Sequence, residues 1–437
     1  MSEGTQRPHV LLFLIAGTGV VTIARAMTLT FLAIKLQGTF GLGPAMIGFL
    51  LGIGPLIGAF ASPFAGSISD RVGRKSVLIL TLVAMGLSMV GLALAETVFV
   101  FCLAQSVAAV ALSIYGPTSR ALMSDICPES DRLKFFSWRY TVSNVGWAIG
   151  PVIGIAAGVA STILFVTAGA VYGVLALSLY WLQTPAFEDA DDGAASSATS
   201  LSASVKAAMR DPRLLYFIGG GTMLVAVYGQ WSATVGPYLA DNVEGGVELF
   251  AYLASINGLV VLIVNPIARR FVERVGALSA VVTGCALFLL SQLGFLAAVN
   301  FPGFAISMVV FTLGEILVLP SEYILVDRVS NARNRGSYFG AHSLSSIGSF
   351  LGPTLGGMVL GVFGGAAMFV LFAGFAAAGA LFFAIGTRMP PPMSETGSSV
   401  DAVAGTRRPR LSGTRRYLAP DVDIYRQARS MARSCGR

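Results

Sequence analysis

Charge is what this chain has least of. Asp, Glu, Lys and Arg make up 12% of its 437 residues, against 55% hydrophobic; soluble domains carry about 25% charge. A water-soluble globular protein is excluded. Histidine is nearly absent as well, with His9 at a terminus and His342 inside an apolar run. Neither has the spacing of a triad or a metal site, so no enzyme active site, metal centre or cofactor is expected. The four cysteines, Cys102, Cys127, Cys285 and Cys435, show no C-x-x-C spacing, which leaves neither a disulfide framework nor a zinc site. The opening Met1 to Pro8 is too polar and short for a signal-peptide n-region with a cleavage site, so the first apolar run is expected to remain uncleaved.

What is present is a series of apolar runs, near 9–37, 45–66, 76–95, 97–125, 135–160, 161–183, 213–240, 248–270, 277–298, 302–328, 336–362 and 365–387. Each is close to the roughly 20 residues that cross a bilayer as a helix. Alternate connections are basic: Arg71, Arg74 and Lys75; Arg132 and Lys134; Lys206, Arg210 and Arg213; Arg269, Arg270 and Arg274; Arg328, Arg333 and Arg335. The others carry Glu96 or the acidic group Asp241, Glu244 and Glu248. Positively charged loops stay in the cytoplasm, so both termini are expected there. The net charge of +7 comes largely from the tail after Arg388, expected to be a disordered cytoplasmic segment, with contact to anionic lipid as the sharper role. Nucleic acid is an unnecessary partner.

The chain also repeats itself. From Pro63 it reads P-F-A-G-S-I-S-D-R-V-G, and from Pro266, 203 positions later, P-I-A-R-R-F-V-E-R-V-G. Pro117 matches Pro320 and Arg132 matches Arg335 at the same offset. Gly146, Gly150, Pro151 and Gly154 match Gly348, Gly352, Pro353 and Gly356 at 202. A duplicated six-helix unit predicts this. The expected organisation is an N-terminal bundle over 1–183, an interdomain linker over 184–212, a C-terminal bundle over 213–387 and a tail over 388–437. In the glycine-proline clusters, small residues four apart let helices touch, and the embedded proline favours a bend; close packing and a hinge are both consistent with them.

Gly66-x-x-x-Asp70-Arg71-x-Gly73-Arg74-Lys75 resembles the loop between helices two and three of the major facilitator superfamily. The fifth-run cluster is similar to the antiporter motif of that superfamily's drug exporters, with Ile155 where a final Gly is usual. Arg25-Ala26-Met27, Phe31-Leu32-Ala33-Ile34, Met209-Arg210-Asp211, Pro266-Ile267-Ala268-Arg269 and Arg335-Gly336-Ser337-Tyr338 extend the likeness to its bacterial drug:proton antiporters. The resemblance implies an all-α membrane protein, a monomer of twelve transmembrane helices in two six-helix bundles related by a pseudo-two-fold axis. It implies proton-coupled export of small amphipathic compounds from a bacterial inner membrane by alternating access. Proton-coupled uptake of a small polar metabolite is the rival, and a non-transporting sensor or scaffold is weaker.

Ionisable residues inside a bilayer are costly and mark function. Arg25, Arg120, Glu315 and Glu322 fall in the first, fourth and tenth runs. By the resemblance these helices and the seventh, with Tyr228, Gln230 and Trp231, line a central cavity. Glu315 and Glu322 are the proton-coupling candidates, and Arg120 is placed at a depth where it could pair with Glu322 across the halves. The resemblance assigns gating to Gly66, Asp70, Arg71, Gly73, Arg74 and Lys75, beside Asp125 at the end of the fourth run. The chain departs from many drug exporters in offering Arg25 where helix one often has an acid, and Gln105 at a usual basic position.

Overall fold

Lipid supplies no hydrogen bonds, so an apolar chain satisfies its backbone by coiling into helices. The computed structural model describes residues 7–61, 69, 72–128, 131–159, 161–182, 209–330 and 335–390, and they contain helices and connections but no strand. Gly66, Asp70, Arg71, most of the expected linker and nearly all of the tail lie outside the described residues.

The described helices form twelve rods. In chain order, α1 comprises Arg7–Leu29 and, after a short break, Leu32–Phe40; α2 is Pro44–Ala61, α3 Arg74–Ala93, α4 Val98–Ile126, α5 Arg132–Ala156 and α6 Thr162–Trp181. The second set begins with α7, which is Pro212–Gly229 and Trp231–Asn242 separated at Gln230; α8 is Gly246–Val275, α9 Ala277–Ala297 and α10 Phe301–Val329. Rod α11 starts as Arg335–His342, tightens to a 3-10 turn over Ser343–Ile347, and resumes at Gly348. The stretch Gly348–Gly386 is divided at Gly364, whose φ of 79° and ψ of 178° end α11 and start α12. Nine described stretches are long and apolar enough to cross a membrane by themselves. The difference from twelve has physical causes: α5 opens with charged residues, α7 is split in two, and α11 and α12 run together.

The internal repeat reappears as local structure. Gly73 at φ 91° and Gly276 at φ 83°, 203 residues apart, precede α3 and α9, in a backbone region that side chains with a Cβ rarely enter. At the same offset, Thr97 Oγ1 accepts from the Val100 amide at 3.3 Å and Asn300 Oδ1 from the Gly303 amide at 3.0 Å, capping α4 and α10.

One hydrophobic core is built from Val10 through Leu179, around Phe101, Phe165 and Tyr172, and a second from Leu214 through Phe383 together with Phe31. The two sets of rods meet where α2 packs on α11 and α5 on α8. Glycines make the approach close: a Cβ at Gly258 would lie 2.6 Å from the Ala148 backbone nitrogen, and one at Gly52 only 3.0 Å from the Phe350 carbonyl oxygen. Near the acidic connections, Gln37 Nε2 on α1 donates to both carboxylate oxygens of Asp241 on α7, at 2.8 and 2.9 Å. The halves therefore seal on the side of the acidic loops.

Candidate functional site

Between the halves lies a cavity of about 830 Å³. Its wall runs from Arg25, Trp147 and Trp231 at mid-height to Ala59, Tyr140, Asn265 and Ser346, toward the basic-loop ends of α2, α5, α8 and α11. One wall carries a cation. The Arg25 guanidinium stands over the Trp147 ring, 5.3 Å from its centroid, with its buried Nε lacking a hydrogen-bond partner. The facing half carries the carboxyl of Glu315 on α10, which accepts from Asn257 Nδ2 on α8 at 2.9 Å. The same Nδ2 donates to Thr312 Oγ1 at 3.0 Å, so one amide fixes both α10 side chains.

Of the cavity and coupling residues expected from the sequence, Arg25, Tyr228, Trp231 and Glu315 line this cavity, as do Pro320 and Pro353. Gln230 does not. It is fully buried at the break in α7, its side-chain oxygen accepting from Thr234 Oγ1 four residues on. Arg120 is also off the wall, exposed one turn beyond Pro117 toward the basic end of α4. It does not pair with Glu322, which is 3% exposed and turned inward toward α11. There His342 Nε2 lies 2.9 Å from Glu322 Oε1. That is an ion-pair distance, but the two atoms are not aligned for a hydrogen bond and neither has another such partner.

Toward the basic loops, Arg74 at the start of α3 forms an ion pair with Asp125 at the end of α4, both half-buried. Lys75 Nζ donates to the carbonyl oxygens of Tyr180 and Leu182 at 3.0 and 2.7 Å, tying α3 to the end of α6. The glycine-proline clusters make close helix contacts in both halves. Gly146, Gly150 and Gly154 face Thr22, Ala26 and Met27 of α1, while Gly348 and Gly352 face the Thr222–Ala226 stretch of α7.

Several contributors had no signal in the sequence. Asn257, Asn265 and Trp147 are ordinary residues of apolar runs until packing turns them to the cavity. Arg139, near the start of α5, is off the wall; its Nε donates to Thr18 Oγ1 at 3.1 Å and ties α5 to α1. Gln105 does stand on the wall, donating to the Leu51 carbonyl oxygen at 3.1 Å, with its own Oε1 buried and unpartnered.

A cavity between two repeated halves of a helical membrane protein suits a carrier, and comparison with known proteins decides the family. The profile of the Major Facilitator Superfamily matches residues 14–346 and also 222–430. This chain belongs to the Major Facilitator Superfamily. It is 29% identical over 354 residues to the MFS-type transporter YqjV of Bacillus subtilis, covering 80% of this chain and 86% of that one. It is 27% identical to a Na(+), Li(+), K(+)/H(+) antiporter of Planococcus maritimus over 75% of this chain and 84% of the other. It is 24% identical to the multidrug resistance protein MdtH of Proteus mirabilis over 79% and 85%. Among solved structures, a mutant of the nucleoside transporter NupG superposes with a TM-score of 0.77 at 17% identity, over 86% of this chain and 99% of that one. That likeness shows the fold. As a superfamily member the chain is a multi-pass integral membrane transporter with the all-helical major facilitator fold, not an enzyme.

Proposed function

We propose that this transporter exchanges protons for small amphipathic compounds, carrying the compounds out of the cell across a bacterial inner membrane by alternating access. The observation that carries the reading is Glu315, a carboxyl group held by Asn257 on the wall of a cavity otherwise lined largely by apolar and uncharged groups. Such a group binds a proton or the positive end of a solute, and competition between the two couples their movements. Trp147, Trp231, Tyr228 and Phe311 supply flat apolar surface for an amphipathic solute. The cation/proton antiporter and multidrug relatives support this direction. With the basic loops in the cytoplasm, the cavity is open inward, the state in which an exporter loads its cargo. The ion pair of Arg74 with Asp125 joins α3 to α4 beside the expected gating loop, and the close glycine contacts of α2 with α11 and of α8 with α5 are the surfaces on which the halves rock.

One observation favours the second reading, proton-coupled uptake of a small polar metabolite. Gln105, Ser143, Asn144, Asn257 and Asn265 put hydrogen-bonding groups around the cavity, and among the described residues no methionine lines it. The deciding experiment reconstitutes the protein in liposomes with an acidic interior and records proton efflux as lipophilic cationic, neutral and anionic compounds are added. Export by antiport gives compound-triggered efflux that Glu315→Gln abolishes. Efflux unchanged in that variant removes Glu315 from the coupling, and silence across the panel moves the assignment to uptake or to a non-transporting role.

A further inference from the structure

The Glu322–His342 pair lies outside the cavity wall and the transport reading above leaves it idle. It is the more unusual arrangement. Both side chains are buried at 3% exposure, on neighbouring rods of the C-terminal half, with Nε2 and Oε1 2.9 Å apart. The backbone makes room for them. A methyl group at Gly221 on α7 would collide with Glu322 Oε1 and stand 3.3 Å from His342 Nε2. A glycine at that point lets the carboxyl tuck against α7.

The other groups facing the pair do not compensate its charge. Tyr323, the next residue on α10, sets its ring edge-on to the imidazole at 5.9 Å between centroids. Tyr228 on α7, Cys285 on α9 and Tyr323 lie within electrostatic range of Glu322. Arg120, exposed on the other half, acts on Tyr323 and not on the pair itself. Glu315 also acts on Tyr228. Among the described residues, charge inside the pocket therefore balances between Glu322 and His342 themselves.

The second observation is mechanical. His342 is the last residue of the first α-helical segment of α11, and the 3-10 turn Ser343–Ile347 follows immediately. Short 3-10 stretches inside a long helix often mark a hinge. Ser345 in that turn faces Gly221 in the same pocket, while Ser346 and Ser349 reach the cavity wall.

We propose that Glu322 and His342 form a proton-operated latch that fastens the basic-loop end of α11 to α10. With one proton between them the pair is neutral overall, and the pocket closes over it. Losing that proton leaves a lone carboxylate and gaining another leaves a lone imidazolium. Either is a single buried charge with no counter-ion facing it among the described residues, which burial strongly disfavours. The joint then opens until the charged group reaches water, where the proton is exchanged. This extends the proton-coupled reading above to a second proton-binding site, at the joint instead of the cavity.

The test follows opening of the joint directly and needs no transported compound. In the full chain with its four native cysteines replaced, a cysteine is placed at Ser345 and its alkylation rate measured across pH. Each rate is divided by that of a cysteine at cavity-facing Ser349, to cancel thiol chemistry. The latch predicts slow labelling over an intermediate pH range and faster labelling on both sides. His342→Gln, which strands the carboxylate, should raise the rate in the intermediate range by about tenfold, and Glu322→Gln should raise it on the acid side, where the imidazole left alone takes up a proton. The double variant, with no unpaired charge left, should return most of the protection. Should the single variants express poorly, Gly221→Ala displaces the carboxyl while keeping both groups, and it should also speed labelling. Rates unaltered by the single variants overturn the latch, as does a double variant that labels faster than either. Loss of the latch with compound-triggered proton efflux intact would leave the transport reading standing, and the reverse result would sink that reading alone.

Discussion

Asp211 is the ion whose removal the fold should feel most directly. Its side chain is fully buried at the start of α7. It accepts from the Arg213 amide at 2.9 Å, from the Arg213 guanidinium at 2.7 to 3.2 Å, and from the Tyr338 hydroxyl at 2.8 Å, binding α7 to α11 near the basic loops. Burial pushes its carboxyl up, but the hydrogen bonds from Arg213 and Tyr338 outweigh this and hold it below the ordinary range. A carboxyl lowered in the folded state stabilises above its unfolded value of about 3.9, and that contribution is lost as the pH falls through the folded value. Asp211→Asn keeps a capping side chain yet strands Arg213, and should cost about 2 kcal/mol at neutral pH. Thermal unfolding in detergent checks this: the gap from wild type should narrow as the pH drops below about 4. A gap that is constant with pH would mean the charge contributes nothing. Met209-Arg210-Asp211 stood out in the sequence only by resemblance, because the partner that buries the aspartate, Tyr338, is 127 residues away.

Among the helices, the most legible feature was the glycine spacing, since small residues four apart line one face of a helix and have few uses other than close contact. The contact partner was less legible, because α1 and α7 carry no glycine-proline cluster, only Thr18, Thr22 and Ala26 and the pair Thr222 and Ala226 at the same spacing of four. A Cβ at Gly150 would lie 2.5 Å from that of Ala26, and one at Gly348 would lie 2.8 Å from the Ala226 nitrogen. Gly374 on α12 meets nothing within 4 Å. Overpacking a tight helix contact costs about 1–3 kcal/mol. Gly150→Ala and Gly348→Ala should each lower the melting temperature, whereas Gly374→Ala should leave it level or raise it, because alanine is the better helix former. Equal effects at all three sites would show that backbone preference, not contact, rules these positions. Helix positions were likewise readable from hydropathy to within a few residues at most ends. The break at Gln230 and the 3-10 turn after His342 were not, since both lie inside continuous apolar runs and the weak helix formers there, Gly229, Ser343, Ser345 and Ser346, do not by themselves fix a break. That turn is also why His342 went unrecognised as a partner of Glu322, 20 residues earlier in the chain.

For the molecule as a whole, the 203-residue repeat made two equivalent halves legible before any helix was placed. Which ends of the halves touch is a matter of conformation, and one sequence serves every conformation of a carrier, so the side of the opening was not. In this structure the halves meet at Gln37 and Asp241, and the cavity extends to Asn265 and Ser346 on the opposite side. A carrier working by alternating access must break the first contact to empty its cavity outward. Joining Gln37→Cys to Asp241→Cys with a short, reducible bifunctional thiol reagent, in a background free of native cysteines, should therefore stop compound-triggered proton movement in liposomes. Reduction should restore it. In the bridged protein a third substitution, Asn265→Cys, should stay reactive to an impermeant thiol reagent applied from the basic-loop side, because the lock holds the cavity open there. Transport that continues across the bridge would mean that the two halves need not part at Gln37 and Asp241, and the rocking of one half against the other would have to be abandoned for a motion within each half.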